Sequence, residues 1–201
     1  FLALAIKAGF TFLGELVDMP VYALKQALRR NYSYFVSGYV LRERIEALLA
    51  LRAAGYYDQE YGQDLLVAAL NGNMYEKGRI LYHFIKNGYG GHKDAVKLMD
   101  HVQKAVVFKL DSNGKKVFEG LQYSRTAWGG PVLTYEMRSF ASILRALYVA
   151  DPGSEDVQLM VNYLLSHSDK EGWGNTATNV AVLLTLGEIL GSRPQTTKDV
   201  S

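Results

Sequence analysis

The sequence predicts an all-α protein, an α/α toroid in the form of an incomplete α6/α6 ring of about nine helices, with one small β-hairpin inserted. Three observations carry this. Apolar residues recur at three- and four-residue spacing along most of the chain, the mark of helices that each bury one face. A single stretch, about 106–119, switches to short apolar runs around an Asn-Gly pair. Every second helix is the greasier of its pair and ends on a small or turn residue, with a period of about 40 residues once the hairpin is set aside.

The elements follow in order. Residues 1–10 are expected to form a helix ended near Gly9. Asp18 is expected to cap a second, with Pro20 near its first turn and Leu24, Ala27 and Leu28 on one face. A third, about 37–54, should turn Val40, Leu41, Ile45, Leu48, Leu49 and Leu51 inward, and Arg42, Glu43, Glu46 and Arg52 outward. Asp58 is expected to cap a fourth, reaching about Leu70, followed by an Asn71-Gly72-Asn73 turn. Helices at 74–87 and about 91–107 come next. Val106–Leu110 and Lys116–Phe118 then flank Asp111-Ser112-Asn113-Gly114, a hairpin signal. Helix returns at 133–149, stops at Ala150-Asp151-Pro152-Gly153, and resumes at about 154–167 and 176–190.

Helix ends repeat as well. Leu4–Gly9, Leu49–Gly55 and Leu81–Gly88 fit one frame, and Leu144–Val149 and Leu183–Leu186 share its apolar core. Alternating greasy and amphipathic helices suit an inner and an outer ring. Leu48, Leu81, Leu144 and Leu183 are therefore expected to be more buried than the apolar residues of the intervening helices. The inner ring is expected to be filled by Leu, Ile, Val and Phe, with no set of polar groups for a transition state. The chain opens with Phe-Leu-Ala-Leu-Ala-Ile and no Met, and a closed ring of six pairs needs more helices, so a fragment of a longer domain is expected.

Composition bounds the function. With 49% apolar and 21% charged residues the chain reads as globular, one domain over 1–201. There are no cysteines, which removes disulfides, a thiol nucleophile and cysteine-ligated zinc. The net charge is +2, with basic residues scattered among acids, so no nucleic-acid partner is expected. No apolar run approaches the ~20 residues of a membrane span, so no direct membrane insertion is expected.

Candidate chemistry is sparse, and no catalytic residue, metal ligand or cofactor is expected. His83, His92, His101 and His167 show no metal-ligand spacing and read as surface or helix-end residues. Asp58, Glu60 and Asp64 stand at a helix start, where acids answer the helix dipole. Glu136 sits in a greasy helix and is expected to pair with Arg138, Arg145 or a neighbouring helix. The Asp111–Lys116 loop resembles a calcium loop in composition but lacks its spacing. Tyrosine is the abundant type, at 14 residues. Tyr32, Tyr34 and Tyr39 precede the third helix, and Tyr56, Tyr57 and Tyr61 follow it. Tyr34, Tyr39 and Tyr57, with Trp128 in the Trp128-Gly129-Gly130-Pro131 turn, are the candidate contact residues. Trp173, in Gly172-Trp173-Gly174, is expected to plug the gap between helix pairs.

Residues 135–147, Tyr-Glu-Met-Arg-Ser-Phe-Ala-Ser-Ile-Leu-Arg-Ala-Leu, resemble the Val-Glu-x-Thr-Ser-Tyr-x-Leu-Leu-Ala-Leu helix of α2-macroglobulin and complement thioester domains. Asp151-Pro152 follows, as in bacterial members. Tyr163–Ser166 and Gly172-Trp173-Gly174-Asn175-Thr176 are similar to that family's Trp-Leu-x-x-Gln and Gly-x-Trp-Gly-Ser-Thr-Gln segment. Ala177 replaces the usual Gln, and Thr178-Asn179 replace Asp-Thr or Ala-Thr. The resemblance spans the chain but is specific only over 126–190.

The resemblance implies part of the thioester domain, its C-terminal two thirds, of a bacterial α2-macroglobulin-like protease inhibitor. Such a protein would be periplasmic, anchored through a lipid elsewhere, and active in envelope defence. Its implied partners are target proteases engaged by the full-length protein, neighbouring domains of the same chain, and a penicillin-binding protein. An upstream Cys-x-Glu-Gln motif forms the reactive thioester in that family. This chain has none, which fits either a truncated domain or a thioester-less relative. The alternative is an α/α-toroid enzyme such as a glycosidase, with two carboxylates converging in the ring. A pure interaction scaffold is the third reading.

Overall fold

The computed structural model describes residues 14–29, 40–56, 59–122, 133–170 and 172–191, with Gly9 and Thr11. Among them are eight helices and one hairpin: α1 Gly14–Arg29, α2 Val40–Ala53, α3 Gln59–Ala69, α4 Met74–Lys86, α5 Lys93–Ala105, β1 Val106–Leu110, β2 Lys116–Leu121, α6 Leu133–Ala150, α7 Glu155–Ser166 and α8 Thr176–Gly191. The mostly helical class and the inserted hairpin agree with the sequence reading. The expected first helix and the Asp58 cap lie outside the described residues.

Local chemistry accounts for most boundaries. Asn73 opens α4 with a full capping box: its side chain accepts from the Glu76 N–H at 3.0 Å, and the Glu76 carboxylate accepts from the Asn73 N–H at 2.9 Å. Asn175 serves α8 similarly, accepting from the Thr178 N–H and hydroxyl at 3.0 and 3.1 Å. Helices α2 and α4 end alike. Gly55 and Gly88 take φ values of 88° and 81°, and the tyrosines that follow them, Tyr56 and Tyr89, donate back to Leu51 O and Phe84 O, each at 2.8 Å. These are Schellman ends, and the left-handed residue they need is why the repeat ends in glycine.

Helix α1 departs from expectation. It begins at Gly14, so Asp18 lies inside it and caps nothing, and Pro20 is interior. Pro20 is exposed, so the ring that removes one backbone hydrogen bond does so on the solvent face.

The hairpin pairs antiparallel, with Phe108 opposite Phe118 and Leu110 opposite Lys116, and a bulge between Val107 and Phe108. The Asp111 carboxylate, which resembled a calcium ligand in composition, accepts from the N–H groups of Asn113 and Lys115 at 2.9 Å each and organises the turn. Phe118 is buried against Phe140 of α6 and Tyr163 of α7, with ring centroids 4.8 and 4.7 Å away. An ion pair from Lys116 to Asp156 ties the strand to α7. The hairpin is thus fastened to the helices by an aromatic cluster.

Packing separates the helices into two rows. Helix α4 packs on α2 and, most extensively, on α6, and α6 packs on α8. Helices α3 and α5 contact each other and back onto α4, and α7 backs onto α6. Helix α6 is the most enclosed: Ala141, Ile143, Leu144 and Ala146 have no exposed surface. Close backbone approach makes this possible. A Cβ on Gly78 of α4 would stand 2.7 Å from the carbonyl carbon of Ser142 and 2.8 Å from Ile143 N, so only glycine lets α4 and α6 meet there. The Ser142 hydroxyl completes the crossing by donating to Tyr75 O at 3.1 Å.

The expected alternation of burial is not seen: Leu65 and Leu66 of α3, Leu98 of α5, and Met160 and Leu164 of α7 are as completely buried as the leucines of the other row. Leu48, Leu81 and Leu144 are fully buried, but Leu183 is 59% exposed. Val180, Leu184 and Leu190 of α8 are also exposed. Among the described residues α8 is the last of its row and packs chiefly on α6, its own Thr178, Val182, Thr185, Leu186 and Ile189 being the buried residues. Its uniform apolarity marked it as an inner helix, and apolarity does not say how many neighbours a helix has.

Candidate functional site

Helices α2, α4, α6 and α8 present their shared face to a cavity of about 360 Å³. Two tyrosines one heptad apart on α4, Tyr75 and Tyr82, stand under two arginines one heptad apart on α6, Arg138 and Arg145. Seven residues make nearly two helical turns, so each pair lies on one stripe, and the two stripes meet. The guanidinium carbon of Arg138 lies 4.3 Å from the Tyr75 ring centre, and that of Arg145 lies 4.1 Å from the Tyr82 ring centre.

Each rung ends on a glutamate. In the first, the Tyr75 hydroxyl accepts from Arg138 Nη2 at 3.1 Å and donates to Glu46 Oε1 of α2 at 2.8 Å. Arg79 also holds Glu46 bidentately, through Nε at 2.9 Å and Nη2 at 2.6 Å. In the second, the Tyr82 hydroxyl accepts from Arg145 Nη2 at 3.0 Å and donates to Glu188 Oε2 of α8 at 2.8 Å. Arg145 reaches Glu188 directly at 3.0 Å, and Lys86 reaches it at 2.5 Å.

The charges follow from these contacts. Burial opposes ionisation of Glu46, but the Arg79 hydrogen bonds and charge outweigh it and hold the carboxyl below its ordinary value. Glu188 also pays for burial, yet Lys86, Tyr82 and Arg145 pull it down to about 2. Burial raises both phenols, Tyr75 and Tyr82, so they stay protonated donors. The opposite wall, Val180, Ala181 and Leu184 of α8, is apolar.

This overturns two expectations. Arg42 and Glu46 were to face outward, but both are half-buried: Glu46 lines the cavity, and Arg42 stands 4.9 Å from the Tyr75 ring. The inner face was to be wholly apolar, but it carries eight polar or charged side chains here, Glu46, Tyr75, Arg79, Tyr82, Arg138, Ser142, Arg145 and Thr185. A polar residue among apolar ones in a helix looks like an outward position until neighbouring helices supply partners. The heptad spacing of the Tyr and Arg pairs was the available signal.

Other candidates resolve differently. Tyr34, Tyr39, Tyr57 and Trp128, the candidate contact residues, lie outside the described residues, as does the Glu136 side chain. Asp64 is exposed on α3, away from the cavity. His92 caps α5, His101 is exposed, and His167 stacks on Tyr163 at 3.8 Å. His83 stands in the last turn of α4, as a helix-end residue, but it is 4% exposed and so not on the surface.

Trp173 anchors a turn. Its indole N–H donates to Leu164 O of α7 and its backbone N–H to Asn179 Oδ1 of α8, both at 2.7 Å. Asn179 Nδ2 also donates to Gly174 O at 3.2 Å. A Cβ on Gly172 would meet Asn179 Oδ1 at 2.7 Å, so the asparagine fills the space the glycine leaves. The turn sets where α8 starts relative to α7.

Among the described residues no helix is long and apolar enough to cross a membrane. Comparisons with protein-family models, curated proteins and solved structures find no match to this chain.

Proposed function

We propose that the chain is an arc of an α/α toroid and forms part of the thioester domain of a bacterial α2-macroglobulin-like protease inhibitor, where it acts without catalysis. The observation that carries this reading is the Gly172–Asn175 turn. It lies in the stretch with the most specific resemblance, and its tryptophan and asparagine join an outer-row helix to the next inner-row helix. The alternation of two helix rows supports the toroid. In this role the chain holds the upstream reactive segment and offers faces to neighbouring domains. Target proteases, and a penicillin-binding protein in the periplasm, are partners of the parent protein, which a lipid tethers to the membrane.

The glycosidase alternative has one feature in its favour, two carboxylates on one cavity. Glu46 and Glu188 are both held ionised by cations, however, and neither is placed to give up a proton as a general acid near neutral pH. Incubation with methylamine and with a protease tests the proposal. The parent protein should gain covalent mass through a cysteine upstream of Phe1, and this chain alone should gain none. Glycan turnover by this chain, lost in Glu46→Gln or Glu188→Gln, would overturn it.

A further inference from the structure

The two rungs of the cavity match in chemistry but not in completion. Arg145 meets a tyrosine hydroxyl and a carboxylate, Glu188. Arg138, its heptad equivalent, meets the Tyr75 hydroxyl alone, because Arg79 takes both oxygens of Glu46. Among the described residues Arg138 makes that one hydrogen bond and has no ion pair; its Nε, like that of Arg145, is buried without a partner. Arg42, on the same Tyr75 ring, adds a second positive charge. A guanidinium carries five donors in a planar fork that matches a carboxylate. Among the described residues, then, the charge and most of the donors of Arg138 go unanswered at the cavity.

We propose that the cavity binds a small organic monocarboxylate, with its headgroup on Arg138, where Glu188 stands on Arg145, and its apolar body against Val180, Ala181 and Leu184. The volume of about 360 Å³ suits a compact ligand. The α8 wall explains why the ligand has an apolar body: Val180 and Leu184 are each 50% exposed and would be covered by it. Inorganic anions satisfy the arginine and leave that wall wet. The inference does not depend on the parent protein being a protease trap.

The test is calorimetric titration of the full chain with benzoate, its neutral isostere benzamide, and inorganic phosphate. Benzoate should bind, with benzamide and phosphate each at least about tenfold weaker. Arg138→Met should reduce benzoate affinity at least about tenfold, and Arg138→Lys, which keeps the charge but loses the fork, should restore it only in part. Val180→Asp serves as a second variant at a half-exposed position; its charge at the wall should weaken benzoate more than it weakens benzamide. Equal binding of benzoate and benzamide, benzoate affinity unmoved by both Arg138→Met and Val180→Asp, or no benzoate heat at millimolar concentration would overturn the proposal.

Discussion

Acidification from pH 7 to pH 5 should destabilise this protein through His83. The imidazole is buried within α4, 4% exposed. Burial foremost, then the positive charges of Arg52 on α2 and Arg79 on its own helix, lowers its pKa from 6.5 to about 4. The unfolded chain takes up the proton first, so stability is full above pH 6.5 and falls as the pH drops towards 4. The whole shift corresponds to about 3 kcal/mol, of which about 2 kcal/mol should be lost between pH 7 and pH 5. Carboxylates held low in the folded chain contribute little over this interval because their unfolded values lie lower, and Glu76, which burial raises, acts in the opposite sense in wild type and variant alike. Urea denaturation at the two pH values, on the wild type and on His83→Gln, reads the effect. Glutamine stays neutral throughout, so the variant should lose far less stability than the wild type, whatever its stability at pH 7. An equal loss in both proteins would refute the assignment to His83.

Gly78→Ala should cost about 3 kcal/mol, read as a lower urea midpoint, because the new methyl meets the α6 backbone at Ser142 and Ile143, which cannot retreat as a side chain tip would. Glu188→Gln should cost about 2 kcal/mol at neutral pH by stranding the half-buried Arg145. The depressed Glu188 value of about 2, against an ordinary 4.5, means that its contribution is present above pH 4.5 and lost as pH falls towards 2. The variant should lack that part of the acid denaturation profile.

Helix periodicity, the Asn113-Gly114 turn and the glycine ends of α2 and α4 were read from the sequence because each is decided within a few residues, and the Asn73 and Asn175 caps, though not read there, are decided just as locally. A capping side chain reaches its own first turn, and a left-handed helix end needs glycine wherever it occurs. Pro20 misled for the same reason: it marks a helix start locally, but solvent exposure lets α1 run through it. Buried faces were legible where hydrophobic residues returned every three or four positions, as for Leu48, Leu81 and Leu144.

What only the tertiary structure decided is where polar side chains on different helices meet. Tyr75, Arg138 and Glu46 belong to three helices separated by 29 or more residues, and nothing local distinguishes a glutamate facing water from one facing Arg79. The same limit governs α8, whose Leu183 and Leu184 are as apolar as the buried leucines of α6 and yet exposed. Local sequence sets a side chain's direction from its own backbone; whether that direction holds solvent, a partner or a cavity depends on residues far along the chain.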